Sequence, residues 1–182
     1  MNRDPIGNVD IFIGHLKKVL YKFVYHNHIS FRGNSICSGS IRIRCNEGSI
    51  IVSDGVKLNS NVILHTTGNG KILIGNGTCI NHRVIIASKN CIRIGRNVMI
   101  GPNVCVYDHD HIYKTTQKMM VSGFLTSPII IEDNVWIGSN CTILKGSHIG
   151  TGSVIAAGTV IKGKIPPNSI VFNGNKNIIR QK

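Results

Sequence analysis

Isoleucine returns every sixth residue along much of this chain, and that period limits the folds open to it. Ile131, Ile137, Ile143, Ile149, Ile155 and Ile161 hold one frame without a miss. The fifth position of each unit is small or β-branched: Val135, Cys141, Ser147, Ser153 and Thr159. The frame extends upstream through Ile94 and Ile100, with Val98 and Val104, and through Ile74, Ile80 and Ile86. Weaker members are Ile50, Val56 and Val62, with Gly68 in the slot before Ile74. Two extra residues between 86 and 94 read as a small corner bulge. A period of six is neither the 3.6 of a helix nor the alternation of one long strand. It fits short strands joined by tight turns, each strand sending its Ile and its small residue inward. Three such strands close one triangular coil of about 18 residues, and stacked coils align their Ile side chains in ladders. Each buried Ile contributes roughly 1.5–3 kcal/mol relative to exposure. One coil cannot bury its own face, so stability comes from its neighbours. The expected fold is all-β, a parallel β-solenoid.

Composition narrows the class further. The chain has 182 residues, 42% of them hydrophobic, enough for one domain with a real core. No apolar run approaches the ~20 residues of a membrane span. Positions 1 to 24 carry Asp4, Asp10, Lys17 and Lys18 rather than a clean apolar leader, which points to the cytoplasm. Twenty-one Lys and Arg against eight Asp and Glu give a net charge of +13. Such a balance favours anionic partners: nucleic acid, phosphorylated cofactors, acidic glycans or a membrane surface. The six cysteines form no C-x-x-C pair and sit in Ile/Val-rich stretches, so they read as reduced core residues.

Two segments leave the frame. Residues 9–26 place Ile13, Leu16, Val19, Leu20 and Phe23 at helical spacing, with Lys17, Lys18 and Lys22 on other faces. Such a helix either caps the open end of the solenoid or rests on an anionic membrane. The expected organisation is a helical cap over 1–28, a β-helix over 29–172 with a loop at 107–128, and a tail at 173–182. The excursion from Tyr107 to Pro128 is a natural place for function, because it projects from a rigid scaffold.

That loop opens with Asp108-His109-Asp110-His111. A neutral imidazole can take a proton from a hydroxyl, and a carboxylate can fix its tautomer. The same residues would also serve a polar turn, or a metal held by His109 and His111. Trp136, the single Trp, takes the sixth slot before an inward Ile, so alternation turns it outward. From 134 onward there is no acid, while Lys145, Lys162, Lys164, Lys176, Arg180 and Lys182 are present.

The I-G-x-N-[V/C] repeats over about 30 to 180 resemble the hexapeptide-repeat acyltransferases. That resemblance implies a left-handed β-helix, a homotrimer with sites between subunits, and acetyl-CoA as co-substrate with no metal. D-H-x-H at the loop is similar to the branch that O-acetylates sugars and polysaccharides. In that branch the catalytic His lies eight residues after the Asn of a G-x-N-V hexad, and counting from Asn103 gives His111. The resemblance then makes His111 the general base, with Asp108 and His109 orienting the base or the sugar. It puts Asn81 against the acceptor, Trp136 at the acceptor or pantetheine site, and Ser139 and Ala157 along the pantetheine arm. Lys162, Lys164 and Arg180 are the candidate cofactor contacts, because Gly163 stands where the family has Lys.

Other readings of the scaffold are antibiotic or amino-sugar acetylation, and a zinc hydratase of the gamma carbonic anhydrase type. The latter needs H-x4-H spacing, which 109/111 lacks. Few aromatics and no basic stripe interleaved with them argue against nucleic acid as a partner.

Overall fold

The computed structural model describes residues 5–113, 121–172 and 178–181. A helix, Pro5–Val24, precedes a parallel β-helix of about six turns. Strands stack into three sheets of seven, eight and six members, parallel except for the last strand of the second. The first sheet runs from Ile29–Phe31 to Lys164–Ile165, the second from Ile36–Cys37 to Ser169–Phe172, and the third from Arg42–Cys45 to Val160–Ile161. The last strand, Ile178–Gln181, folds back antiparallel on Ser169–Phe172, so part of the expected tail belongs to the second sheet.

The Ile ladder is the core. Ile94, Ile131, Ile149 and Ile165 lie in register on the first sheet, Ile80, Ile100, Ile137 and Ile155 on the second. Ile86, Val106, Ile143 and Ile161 complete the third. All are buried. Parallel strands one coil apart bury the same side-chain type in the same place, so a periodic sequence packs without gaps.

The earliest coils are framed differently from the expectation. Val52, Leu58 and Leu64 hold the ladder slots beside Ile74, Ile80 and Ile86. Val56 and Val62 are buried but occupy the small-residue position at the corners. Besides the two extra residues between Ile86 and Ile94, four more fall between Leu64 and Ile74, where Thr67 to Gly70 round the corner. The residue before each small position explains the Asn/Gly preference. Asn97, Asn103, Asn134 and Asn140 take φ of 54–58°, and Gly152 and Gly158 take 68° and 72°. This left-handed region suits Asn and Gly at a tight turn.

Three cysteines, Cys37, Cys45 and Cys141, are buried as expected; Cys79, Cys91 and Cys105 are half-buried on the outer surface. All six are free thiols.

The helix packs on the first coil by an unexpected face. Gly14 is buried against the Cys37 carbonyl, where a Cβ would collide. Lys18 Nζ donates to the Ser35 carbonyl at 2.8 Å, and Tyr21 Oη to the Ile41 carbonyl at 3.2 Å. The edge of the first coil presents backbone acceptors with no preceding coil to pair them, so donors cap it better than hydrocarbons. The apolar stripe therefore points away, with Phe12 63% and Phe23 82% exposed and Leu16, Val19 and Leu20 more than half exposed.

Candidate active site

The excursion at 107–128 is a hairpin rather than an irregular loop. His109–His111 pairs antiparallel with Phe124–Thr126, and residues 114–120 lie outside the described residues. Val106 points inward and Tyr107 outward, so alternation sends Asp108 inward again, level with Ser88 on the coil before. Asp108 is fully buried. Its Oδ2 accepts from Ser88 Oγ at 2.7 Å and from the Asn90 amide at 2.9 Å. Its Oδ1 accepts from the Lys89 amide at 2.8 Å and lies 3.1 Å from His109 Nδ1. Burial alone would push this carboxyl up, yet the bonds from His109, Ser88, Lys89 and Asn90 outweigh it and hold it below the ordinary carboxylate range.

This corrects one expectation. Asp108 cannot touch a sugar, because no part of it reaches the surface. Its Oδ1 instead faces His109 Nδ1, and a carboxylate, which can only accept, favours a proton on that nitrogen. The supporting trio Ser88, Lys89 and Asn90 was not foreseen. The signal was available, since Ser88 continues an inward column through Cys45 and Thr66. His111 is exposed at the end of the first strand of the hairpin, its ring centroid 4.5 Å from that of Phe124. Asp110 lies 3.5 Å from Lys145 Nζ.

A second feature runs along a corner of the second sheet. Asn81, Gly101, Gly138 and Ala156 occupy equivalent places on successive coils, each amide bonding to the next coil's ladder residue. Gly138 lets the coils close up, because a Cβ there would sit 2.6 Å from the Ala157 amide nitrogen. The result is a cleft of about 530 Å³ with a floor of small residues and a wall of Trp136 and Val154. Asn81, Trp136, Ser139 and Ala157 all line it, so four predicted residues far apart in sequence meet. Trp136 is 51% exposed, as alternation required. Asn81 Oδ1 accepts from Asn59 Nδ2 at 3.3 Å and from the His82 amide at 3.0 Å. A cleft floored by small residues and walled by an indole could hold an amide-bearing arm such as pantetheine.

The remaining candidates lie elsewhere. Lys164 stands on the first sheet in register with His148, which bonds Glu132 at 2.7 Å, and Lys162 is exposed at the corner before it. Neither lines the cleft. Arg180 is in the returning strand opposite Ile170, and its side chain is outside the described residues. Within one chain the histidines rise from the third sheet while the cleft follows the second. Among the described residues no group of His, Cys, Asp and Glu could hold a metal ion.

A β-helix of hexad coils, with one histidine-bearing hairpin and a small-residue cleft, defines the class as hexapeptide-repeat proteins. The family model for bacterial transferase hexapeptide (six repeats) matches residues 128–163. A relative in Escherichia coli K12, named as a lipopolysaccharide biosynthesis O-acetyl transferase, is 31% identical over 152 residues, 78% of each chain. The galactoside O-acetyltransferase of the same organism is 36% identical over 111 residues, 60% of this chain and 54% of that one. The chain thus spans about half of some curated relatives and most of another. A hexapeptide-repeat acetyltransferase of Vibrio cholerae, solved with acetyl-CoA, superposes with a TM-score of 0.63 at 26% identity, covering 95% of this chain and 82% of that one. AntD, an N-acyltransferase from Bacillus cereus solved with dTDP and coenzyme A, shares the fold at a TM-score of 0.74 and 20% identity, over 91% of this chain and 89% of that one. The chain belongs to the hexapeptide-repeat acyltransferase family.

Proposed function

We propose that this protein transfers an acetyl group from acetyl-CoA to a sugar hydroxyl, on a cell-surface polysaccharide or its precursor. The observation that carries this reading is the meeting of Asn81, Trp136, Ser139 and Ala157 in one cleft. Bound there, acetyl-CoA supplies a thioester carbonyl and departs as the free thiol. Trp136 and the backbone of the glycine–alanine floor hold the arm, and Asn81 faces the acceptor. His111 takes the proton from the attacking hydroxyl, and His109, clamped by Asp108, positions the acceptor beside it. The active assembly is a homotrimer, as the family resemblance implies, and with hairpin and cleft on different sheets the hairpin of one subunit faces the cleft of the next. The family resemblance supports this arrangement.

The Asp108–His109 bond favours a second reading, with His109 as the base. Thiol release from acetyl-CoA over a panel of sugars tests both. His111→Ala should lose at least 100-fold in kcat and keep its fold. A folded His111→Ala with normal turnover, beside an inactive His109→Ala, would transfer the role to His109. No turnover with any sugar by the native protein would sink the O-acetyltransferase reading in favour of amino-sugar N-acetylation.

We also propose that the helix rests on an anionic bilayer in the cytoplasm. Its exposed Phe12, Leu16, Val19, Leu20 and Phe23 form one apolar face, Lys22 is exposed beside them, and Asp10 turns inward to Ser60. No helix among the described residues is long and apolar enough to cross a membrane. The protein should sediment with phosphatidylglycerol vesicles, and Phe12→Asp with Phe23→Asp should abolish it; equal sedimentation of the variant would refute the contact.

A further inference from the structure

Beside the base of the hairpin, at the corner between the third and first sheets, lies a groove of about 460 Å³. Lys71, Lys89 and Arg93 line it together with Asn69 and Asn90, and none of its lining residues is acidic. Lys71 and Arg93 are exposed on the adjacent strands Lys71–Ile74 and Cys91–Ile94, two steps out of register. Strand spacing and rise put their backbones about 8 Å apart on one face. Lys89 is held rather than loose, since its Nζ donates to Thr67 Oγ1 at 2.8 Å and sits 3.8 Å from the Phe124 ring centroid. Both of these partners are neutral.

Like charges lining one groove repel each other, more so at the lower effective dielectric of a protein surface than in bulk water. An anion seated between them reverses that sign. The adjoining carboxylate, Asp108, does not serve, because it is buried and occupied by four donors. Two of those donors are the backbone amides of Lys89 and Asn90, and Asn90 Nδ2 also reaches Thr126 Oγ1 on the hairpin at 3.2 Å. The groove and the histidine hairpin are therefore one unit, so an anion bound here lies next to the histidines. Three cations with two amide side chains suit a phosphate or diphosphate.

We propose that this groove binds the phosphate groups of a phosphorylated sugar acceptor, making the substrate an activated sugar rather than a free one. The inference rests on the reading of the chain as a sugar O-acetyltransferase. A sugar nucleotide and a polyprenyl-diphosphate sugar share the chemistry, and the kinetic arm below tells them apart.

Lys71 and Arg93 are exposed, so Lys71→Gln with Arg93→Gln should fold. Inorganic pyrophosphate is titrated into native protein and the double variant, both saturated with coenzyme A in about 50 mM salt. The native protein should bind it at least tenfold more tightly than the variant, while coenzyme A affinity stays within twofold. Equal pyrophosphate affinity, or loss of its binding once coenzyme A is present, overturns the site. In the kinetic arm, kcat/KM is compared for a sugar nucleotide, a polyprenyl-diphosphate sugar in micelles and the matching methyl glycoside. One phosphorylated form should exceed the glycoside at least tenfold, and the double variant should erase that advantage. Acetylation of the glycoside with no advantage for either phosphorylated form overturns the acceptor assignment and leaves the transferase reading standing. Thiol release with none of the three overturns the transferase reading and the acceptor assignment with it.

Discussion

Asp108→Asn changes one atom at the root of the hairpin and tests whether the buried carboxylate organises it. The carboxylate accepts from Ser88 Oγ, the Lys89 and Asn90 amides and His109 Nδ1. A carboxamide has one accepting oxygen. If its NH2 replaces Oδ2, the Asn90 amide faces a donor; if it replaces Oδ1, the Lys89 amide does. Ser88 can rotate its hydroxyl and His109 can change tautomer, but one buried backbone N–H loses its acceptor in either case. That loss costs about 1–3 kcal/mol, and the surviving bonds give up their charge assistance. We expect about 3 kcal/mol in total, read from denaturant midpoints. Nitrogen chemical shifts of His109 should report Nδ1–H in the native protein and a mixed or reversed tautomer in the variant. The pH dependence carries a definite sign. Because folding depresses the Asp108 carboxyl, its contribution is complete above the unfolded value near pH 4. It is lost as pH falls through the lower folded value, so native and variant stabilities should converge in that acid range. A variant within 0.5 kcal/mol of native at pH 7, with the His109 tautomer unchanged, would refute the reasoning.

Two further substitutions separate packing from binding at the cleft. Trp136→Ala removes an exposed side chain and should leave stability within about 0.5 kcal/mol while raising the KM for acetyl-CoA roughly tenfold; a large loss of stability with unchanged KM would contradict the role given to the indole. Gly138→Ala places a Cβ against the Ala157 amide nitrogen, so the coils must part at a cost of about 1–3 kcal/mol and coenzyme A binding should weaken, as calorimetry would show. Unaltered affinity and stability there would mean that the two coils are not held as closely as Gly138 implies.

The repeat made the solenoid legible from the residues alone. Ile131 to Ile161 are fixed by burial that recurs once per strand, a local rule that a linear sequence displays directly. The outward turn of Trp136 and the projection of 107–128 followed from the same alternation. The frame slipped between Leu64 and Ile74, where a four-residue expansion of the corner outweighed the count, and Val56 and Val62 carried enough hydrophobicity to occupy either kind of inward slot. The helix does cap the first coil, but the face it uses was not legible, for a different reason. Periodicity reveals that a helix has an apolar face but not whether its neighbour offers hydrocarbon or unpaired carbonyls. Here the open edge of the first coil offers carbonyls, which Lys18 and Tyr21 satisfy.

The site divides along the same line. Asp108, His109 and His111 are adjacent in the chain, so their chemistry could be named at once. That Asp108 is sealed beneath Ser88, Lys89 and Asn90 depends on residues about 20 positions away brought into contact by one turn of the solenoid. Asn81 and Ala157 become neighbours of one cleft because four coils stack at a fixed spacing. The basic groove likewise exists only where strands 71–74 and 91–94 lie side by side. The chain by itself determined a β-helix of stacked hexads and the identity of its reactive groups, since both are written in short-range pattern. Only the tertiary structure decided which side chains face one another across the coils, because those distances are set by stacking and not by sequence separation.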